Sequence, residues 1–197
     1  MEKKKLSLTF RMLRFLGLNY SEKEYGQVSL WKVIKRVAKT YRDSFLLKYM
    51  MNSWLLSPIS PRKLRPWVLR KIGCKVGKDV FVGDSVKVDS GHADLIFIED
   101  HVHIAGGTRL LCHQRDLSDY KVGDDYAKLG YTLKPIVLKK GCLVGMESFV
   151  FPGVTIGEGA IVGAGSLVTK DVPAWTIATG RPAKVVKQIP QRDNQES

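Results

Sequence analysis

The chain has 197 residues, 44% of them hydrophobic, enough for one domain with a real core plus an appendage. No apolar run reaches the ~20 residues of a membrane span, and the basic start MEKKKLSLTF lacks the long apolar core and cleavage site of a secretory signal. A net charge of +13 favours polyanions such as a phosphate-bearing cofactor, anionic lipid or nucleic acid. No helix-turn-helix, zinc finger or aromatic RNA-binding strand pair is present, so nucleic acid is not an expected partner. Cys74, Cys112 and Cys142 show neither metal-ligand spacing nor a disulfide framework, which fits a reducing, cytoplasmic compartment.

In chain order, residues 1–60 form a basic, helical extension. Residues 1–27 read as loosely attached, because Gly17, Asn19 and Gly26 interrupt any pattern. Residues 28–56 predict an amphipathic helix: Leu30, Val33, Ile34, Val37, Tyr41, Phe45, Leu46 and Tyr49 recur at three- and four-residue steps. Lys32, Lys35, Arg36, Lys39 and Arg42 take much of the remaining surface. Two roles compete for this helix. It could lie on the inner face of a membrane, near a lipid-linked substrate; or it covers the open end of the repeat domain that follows or packs on a neighbouring subunit, the reading favoured because open ends must be capped. Pro58, Pro61 and Pro66 mark a linker.

The main domain is expected over residues 61–189, and within it a six-residue period begins near Ile72. Val76, Val82 and Val88 are six apart, as are Ile98, Ile104 and Leu110. Residues 138–173 then run through six hexads in register, opening with Leu138, Val144, Val150, Ile156, Val162 and Val168. The fifth position of each is small or β-branched: Cys142, Ser148, Val154, Ala160, Ser166 and Val172. Such a period suits neither an amphipathic helix nor an alternating strand. It suits a mainly β solenoid with three flat faces, three hexads to a coil, its aliphatic residues stacked in an internal column. Each buried Val or Ile would contribute roughly 1.5–3 kcal/mol before entropic cost. Gly77, Gly83, Gly145, Gly157 and Gly163 follow the aliphatic position, where a residue without Cβ would tolerate the positive φ of a corner.

Two interruptions stand out. About four extra residues bulge around 90–94, and residues 111–135 (HQRDLSDYKVGDDYAKLGYTLKP at their heart) form a polar, aromatic loop protruding from the solenoid. After Pro173 the coil stops, TGRPAKVVKQI closes the domain, and residues 190–197 read as a flexible tail.

The histidine at the base of the long loop, the hexads ending in VGAGSLVTKDVP and the closing TGRPAKVVKQI resemble the hexapeptide-repeat acetyltransferases over roughly residues 60–189. Within them the chain is most similar to the sugar and polysaccharide O-acetyltransferases. The resemblance implies a left-handed parallel β-helix, a homotrimer, and acetyl-CoA as co-substrate in the groove between adjacent solenoids, with no metal. It implies a general base at the start of the protruding loop, which His113 matches. A neutral imidazole there would take the proton of an acceptor hydroxyl as it attacks the thioester, an effect worth roughly 10²–10⁴-fold.

The oxyanion needs donors, and the resemblance places the corner amides of Gly145 and Met146 nearby; Met146 replaces a residue that is serine in some relatives. It places Ala164, Thr169 and Lys170 along the pantetheine and phosphate path, with Arg181, Lys184 and Lys187 as further phosphate contacts. Relatives acting on simple sugars carry an acceptor-binding asparagine near Ser85 or within 89–94; none is present, so Asp89 and His92 are the substitutes. Asp116, three residues after His113, is a candidate to orient it. Cys112 beside His113 is not expected to be a nucleophile, because adjacent residues on an extended chain point apart and the family uses direct transfer; Cys142 is read as core, and His101 and His103 as surface.

The function expected is acetyl transfer to a hydroxyl of a sugar or surface-polysaccharide precursor, inside the cell. An N-acetyltransferase of an amino-sugar nucleotide or a serine O-acetyltransferase would use the same base and groove. A zinc hydrolase of the gamma-carbonic-anhydrase kind needs three convergent histidines whose spacing is not found here. A non-catalytic solenoid would leave His113 without a role.

Overall fold

In the computed structural model, residues 6–15, 17, 26–51 and 61–191 are described. Most of the segment 1–27, the linker around Pro58, residues 52–56 of the expected helix and nearly all of the 190–197 tail lie outside them. The chain divides into two compact units, Met1–Phe45 and Leu46–Ser197.

The first unit holds α1 (Leu8–Phe15) and α2 (Leu30–Phe45). Ser7 caps α1, its Oγ accepting from Phe10 N at 3.2 Å, and Ser29 caps α2 through Lys32 N at 3.3 Å. The hydroxyl of Ser7 also donates to Val28 O, and its N–H to Gly26 O, tying the two helix starts together.

The second unit opens with a π-helical turn, Leu46–Met50, so the helix expected over 28–56 changes its winding at Leu46. Residues 64–72, read above as the end of a linker, form α3 (Leu64–Ile72). Pro66 sits in its first turn, where an N–H has no intrahelical acceptor to lose. Val68, Leu69 and Ile72 join Leu46 and Met51 in the core cluster that runs into the solenoid, and α3 packs on the first coil. Arg65 fastens this cap by donating to Met51 O and Val82 O. The end is therefore closed by α3 together with Leu46–Met51, only the last part of the helix expected to do so.

Four full coils follow, each with three short strands. The first is β1 (Lys75–Val76), β2 (Phe81–Val82) and β3 (Lys87–Val88); the second is β4 (Ile96–Ile98), β5 (His103–Ile104) and β6 (Arg109–Leu110). The protruding arm then leaves as β7 (His113–Arg115) and returns as β8 (Tyr131–Leu133). The third coil is β9 (Ile136–Leu138), β10 (Leu143–Val144) and β11 (Phe149–Val150); the fourth is β12 (Thr155–Ile156), β13 (Ile161–Val162) and β14 (Leu167–Val168). A fifth begins with a bridge at Val172 and β15 (Thr176–Gly180), closed by the antiparallel β16 (Ala183–Gln188).

Strands stack in parallel into three faces, β1-β4-β9-β12 (face A), β2-β5-β10-β13-β15 (face B) and β3-β6-β11-β14 (face C). This is a left-handed β-helix, mainly β. Every opening aliphatic and every fifth-position residue of the 138–173 hexads is buried. The polar ones are paired: Thr108 Oγ1 donates to Ala105 O, and Ser148 Oγ and Ser166 Oγ both donate to Gly163 O. Among the described residues no buried side-chain nitrogen or oxygen lacks a partner.

The hexad glycines serve a different purpose from the one expected. The positive φ falls two residues later, at the fourth position, on Asp79, Ser85, His101, Gly107, Gly141, Glu147, Gly153, Gly159 and Gly165. Gly83 and Gly145 are instead bare because the next coil crosses them: a Cβ would stand 2.4 Å from Gly106 N or 2.5 Å from Ala164 N.

Candidate active site

Both interruptions of the repeat leave the solenoid at one corner, between face C and face A, on successive coils. After β3 the chain makes a 3-10 insertion, Ser90–Leu95; after β6 it makes the arm. Asp89 N donates to Leu110 O at 3.1 Å, so the two exits lie one on the other. That brings Asp89 and His113 together although 24 residues separate them.

The Asp89 carboxylate is buried, its side chain 6% exposed. It pairs with Nδ1 of His113 through a short contact and with Nδ1 of His92 at 3.3 Å from both oxygens. An ionised carboxylate only accepts, so each ring donates through Nδ1–H and keeps the Nε2 lone pair free. The His113 ring is partly exposed, with Tyr131 edge-on at 5.4 Å between centroids. Arg115 lies 4.1 Å over Tyr131 and 5.1 Å over Tyr126, and the β7–β8 pairing with Lys134 N→Cys112 O holds the foot of the arm. A depression of about 320 Å³ reaches His113 along face C, with Lys87, Arg109 and Phe149 in its wall. A larger one, about 630 Å³ on face A, is lined by Phe97, Val137 and Lys139 and contains none of the candidate residues.

Asp116, the candidate to orient His113, does not meet it. Its Oδ1 accepts from Ser118 N and Ser118 Oγ, which hold its carboxyl below the usual range while it stays fully exposed. Asp89, read from the sequence as an acceptor residue, is the carboxylate beside His113. A count of strands would have found it, since both interruptions follow the third strand of a coil. Cys112 is buried, and that burial, with the Asp89 charge second, pushes its thiol to about 12, unsuited to attack. His103 is no plain surface residue: it stacks on Phe81 at 4.1 Å, and burial, then Arg62, lowers its pKa.

The cofactor candidates divide between two corners. Gly145, Met146 and Ala164 lie on the corner from face B to face C, above Arg181 in the turn after β15, with Lys184 and Lys187 on β16. Thr169 and Lys170 lie on the corner of His113, two coils further on. Met146, Ala164 and all four cations are exposed. Gly145 N–H is already given to Val162 O at 2.8 Å, so it is not a spare donor for an oxyanion. Met146 N–H makes no backbone bond among the described residues.

The hexapeptide repeat of succinyl-transferase matches residues 135–170. A putative colanic acid biosynthesis acetyltransferase, WcaF, of Escherichia coli K12 is 32% identical over 66% of this chain and 79% of its own length. With the coils and the arm described above, this settles the class: the chain belongs to the hexapeptide-repeat acetyltransferases. The galactoside O-acetyltransferase of the same organism is 29% identical over 64% of this chain and 63% of its own. The solved acetyltransferase of Vibrio cholerae O1 biovar eltor complexed with acetyl coenzyme A shares the fold at TM-score 0.60, with 20% identity, over 94% of this chain and all of its own. The branch is that of the sugar and polysaccharide O-acetyltransferases.

Proposed function

We propose that this chain, an acyltransferase by family, moves the acetyl group of acetyl-CoA to a hydroxyl of a sugar or surface-polysaccharide precursor, with His113 as general base. One observation carries the reading: a buried carboxylate fixes the His113 tautomer so that Nε2 is free at the foot of the arm. Nε2 takes the hydroxyl proton as the oxygen attacks the thioester carbonyl. The tetrahedral intermediate collapses, the C–S bond breaks, and the proton passes from Nε2 to the departing sulfur. Asp89 stabilises the imidazolium formed in between. Met146 N–H is the corner donor suited to the oxyanion, and Arg181, Lys184 and Lys187 suit the phosphates of the carrier.

In one protomer the base and most of the carrier residues stand at different corners, which supports a homotrimer with sites between subunits. Asp89 serves the base, leaving His92 and the face C wall for the acceptor. The basic N-terminal unit also suits peripheral membrane contact, independently of the chemistry. A screen of sugar and sugar-nucleotide acceptors with acetyl-CoA tests it: His113→Ala is expected to lose about 10²–10⁴-fold in kcat. Turnover at the wild-type rate would remove His113 from the mechanism, and acetylation of amines alone would move the reaction to nitrogen.

The ligand atoms of Asp89, His92 and His113 lie within 4.8 Å of one another, a donor set that also suits a divalent metal. In acetyl transfer they work through hydrogen bonds, so a chelator is expected to leave turnover unchanged. Stoichiometric zinc together with loss of activity on chelation would favour hydrolysis instead.

A further inference from the structure

Both helices of the first unit carry an exposed apolar stripe. In α2 the one buried side chain is Asp43, on the polar side, held by Lys39 Nζ at 2.8 Å and Arg42 at 2.7 Å. Leu30, Trp31, Ile34, Val37, Tyr41 and Phe45, at helical spacing, are each about half exposed or more. A water-facing helix buries such a stripe. In α1 Leu8, Met12 and Phe15 are likewise exposed at four- and three-residue steps, Phe15 to 91%, while Phe10 on the other side is buried.

Beside these stripes the described residues of the unit are rich in cations. Arg11, Arg14, Lys32, Lys35, Arg36, Lys39 and Arg42 face one acid among the described residues, Asp43, which Lys39 and Arg42 neutralise. Lys35 lies 5.3 Å over Trp31, so a cation stands at the edge of the apolar stripe. Among the described residues no helix is long and apolar enough to cross a membrane.

We propose that α1 and α2 form a docking surface for a bilayer rich in anionic phospholipid, lying in the plane of the interface with the apolar stripe in the acyl boundary and the cations on the headgroups. Aromatic rings with a polar edge, Trp31 and Tyr41, belong at that depth. A second copy fits less well, because a symmetric contact would set the same cations against each other. Acetyl transfer plays no part in this argument, and the two stand or fall separately.

The test is sedimentation of the full chain with vesicles of phosphatidylglycerol and phosphatidylcholine, against vesicles of phosphatidylcholine alone. Binding is expected to the anionic vesicles and to weaken with salt. Lys32→Gln/Lys35→Gln should bind them roughly twenty-fivefold more weakly, at about fivefold per cation, and Ile34→Glu/Val37→Glu should abolish binding. Both variants should keep wild-type turnover of a water-soluble acceptor. The lysine pair leaves the apolar stripe whole, so the test survives if the glutamates disturb the helix. Failure of the wild-type chain to bind anionic vesicles at low salt would overturn the proposal, as would undiminished binding by both variants. A fall in solution mass of Ile34→Glu/Val37→Glu, without vesicle binding by the wild type, would assign the face to a second copy.

Discussion

Asp89 and His113 form the pair on which the proposed chemistry turns, and a change at Asp89 separates orientation from binding. Asp89→Asn keeps the volume but offers a neutral amide, so the Nδ1–H tautomer is no longer enforced and the imidazolium loses its counter-charge. The expected outcome is a fall of about 10²-fold or more in kcat with the KM for acetyl-CoA within about twofold, read from steady-state kinetics. Asp116→Ala, which removes a carboxylate that accepts from Ser118, should change neither. The thiols give a second prediction at this scale. Burial pushes Cys74, Cys112 and Cys142 each to about 12, so iodoacetamide at mildly alkaline pH should leave the folded enzyme active and label it only on unfolding. His113 could be found in the sequence because the repeat breaks beside it. Its partner could not be found by proximity, since a carboxylate three residues away looked nearer than one 24 away.

The stability of the coils depends on two kinds of corner residue that the sequence does not distinguish. Gly145→Ala forces a Cβ to 2.5 Å from Ala164 N, a backbone atom that cannot yield without moving a coil. Gly141→Ala meets nothing within 4 Å and suffers only from its φ of +67°. Strain of the second kind costs about 1–2 kcal/mol, and a backbone clash costs more than that, so thermal unfolding should rank Gly145→Ala well below Gly141→Ala. Reversal of that order would mean that φ, the reason read from the sequence, governs after all. The hexad period was legible because it is local; the close approach of coils about twenty residues apart was not.

Titration acts on the same elements. The carboxyl of Glu99 is held low, chiefly by the hydrogen bond from Lys139 Nζ at 2.8 Å, which links the second coil to the third. His103, partly buried against Phe81, is also held low. In both the unfolded chain binds the proton first, so stability rises with pH across each window. The folded protein should lose stability as pH falls below about 6.5 through His103 and again in the carboxylate range through Glu99. In urea unfolding, His103→Phe should flatten the first limb and Glu99→Gln the second.

At the scale of the molecule, the separation of His113 from the Met146–Arg181 corner makes a prediction about assembly. If a site takes its base from one protomer and its carrier contacts from the next, two different inactive chains can rescue each other. His113→Ala supplies intact cations, and Arg181→Ala/Lys184→Ala/Lys187→Ala supplies an intact base. In a randomly mixed ring about a quarter of the sites would hold both good halves. Co-refolding equal amounts should therefore return about a quarter of wild-type turnover, whereas separate refolding followed by mixing should return little. Sites enclosed within single protomers would give none by either route, and the phosphate contacts would then have to be sought beside Lys170, on the corner that His113 itself occupies. The sequence offered both groups as candidates but could not show the prism edge between them, because that edge depends on which face each hexad builds.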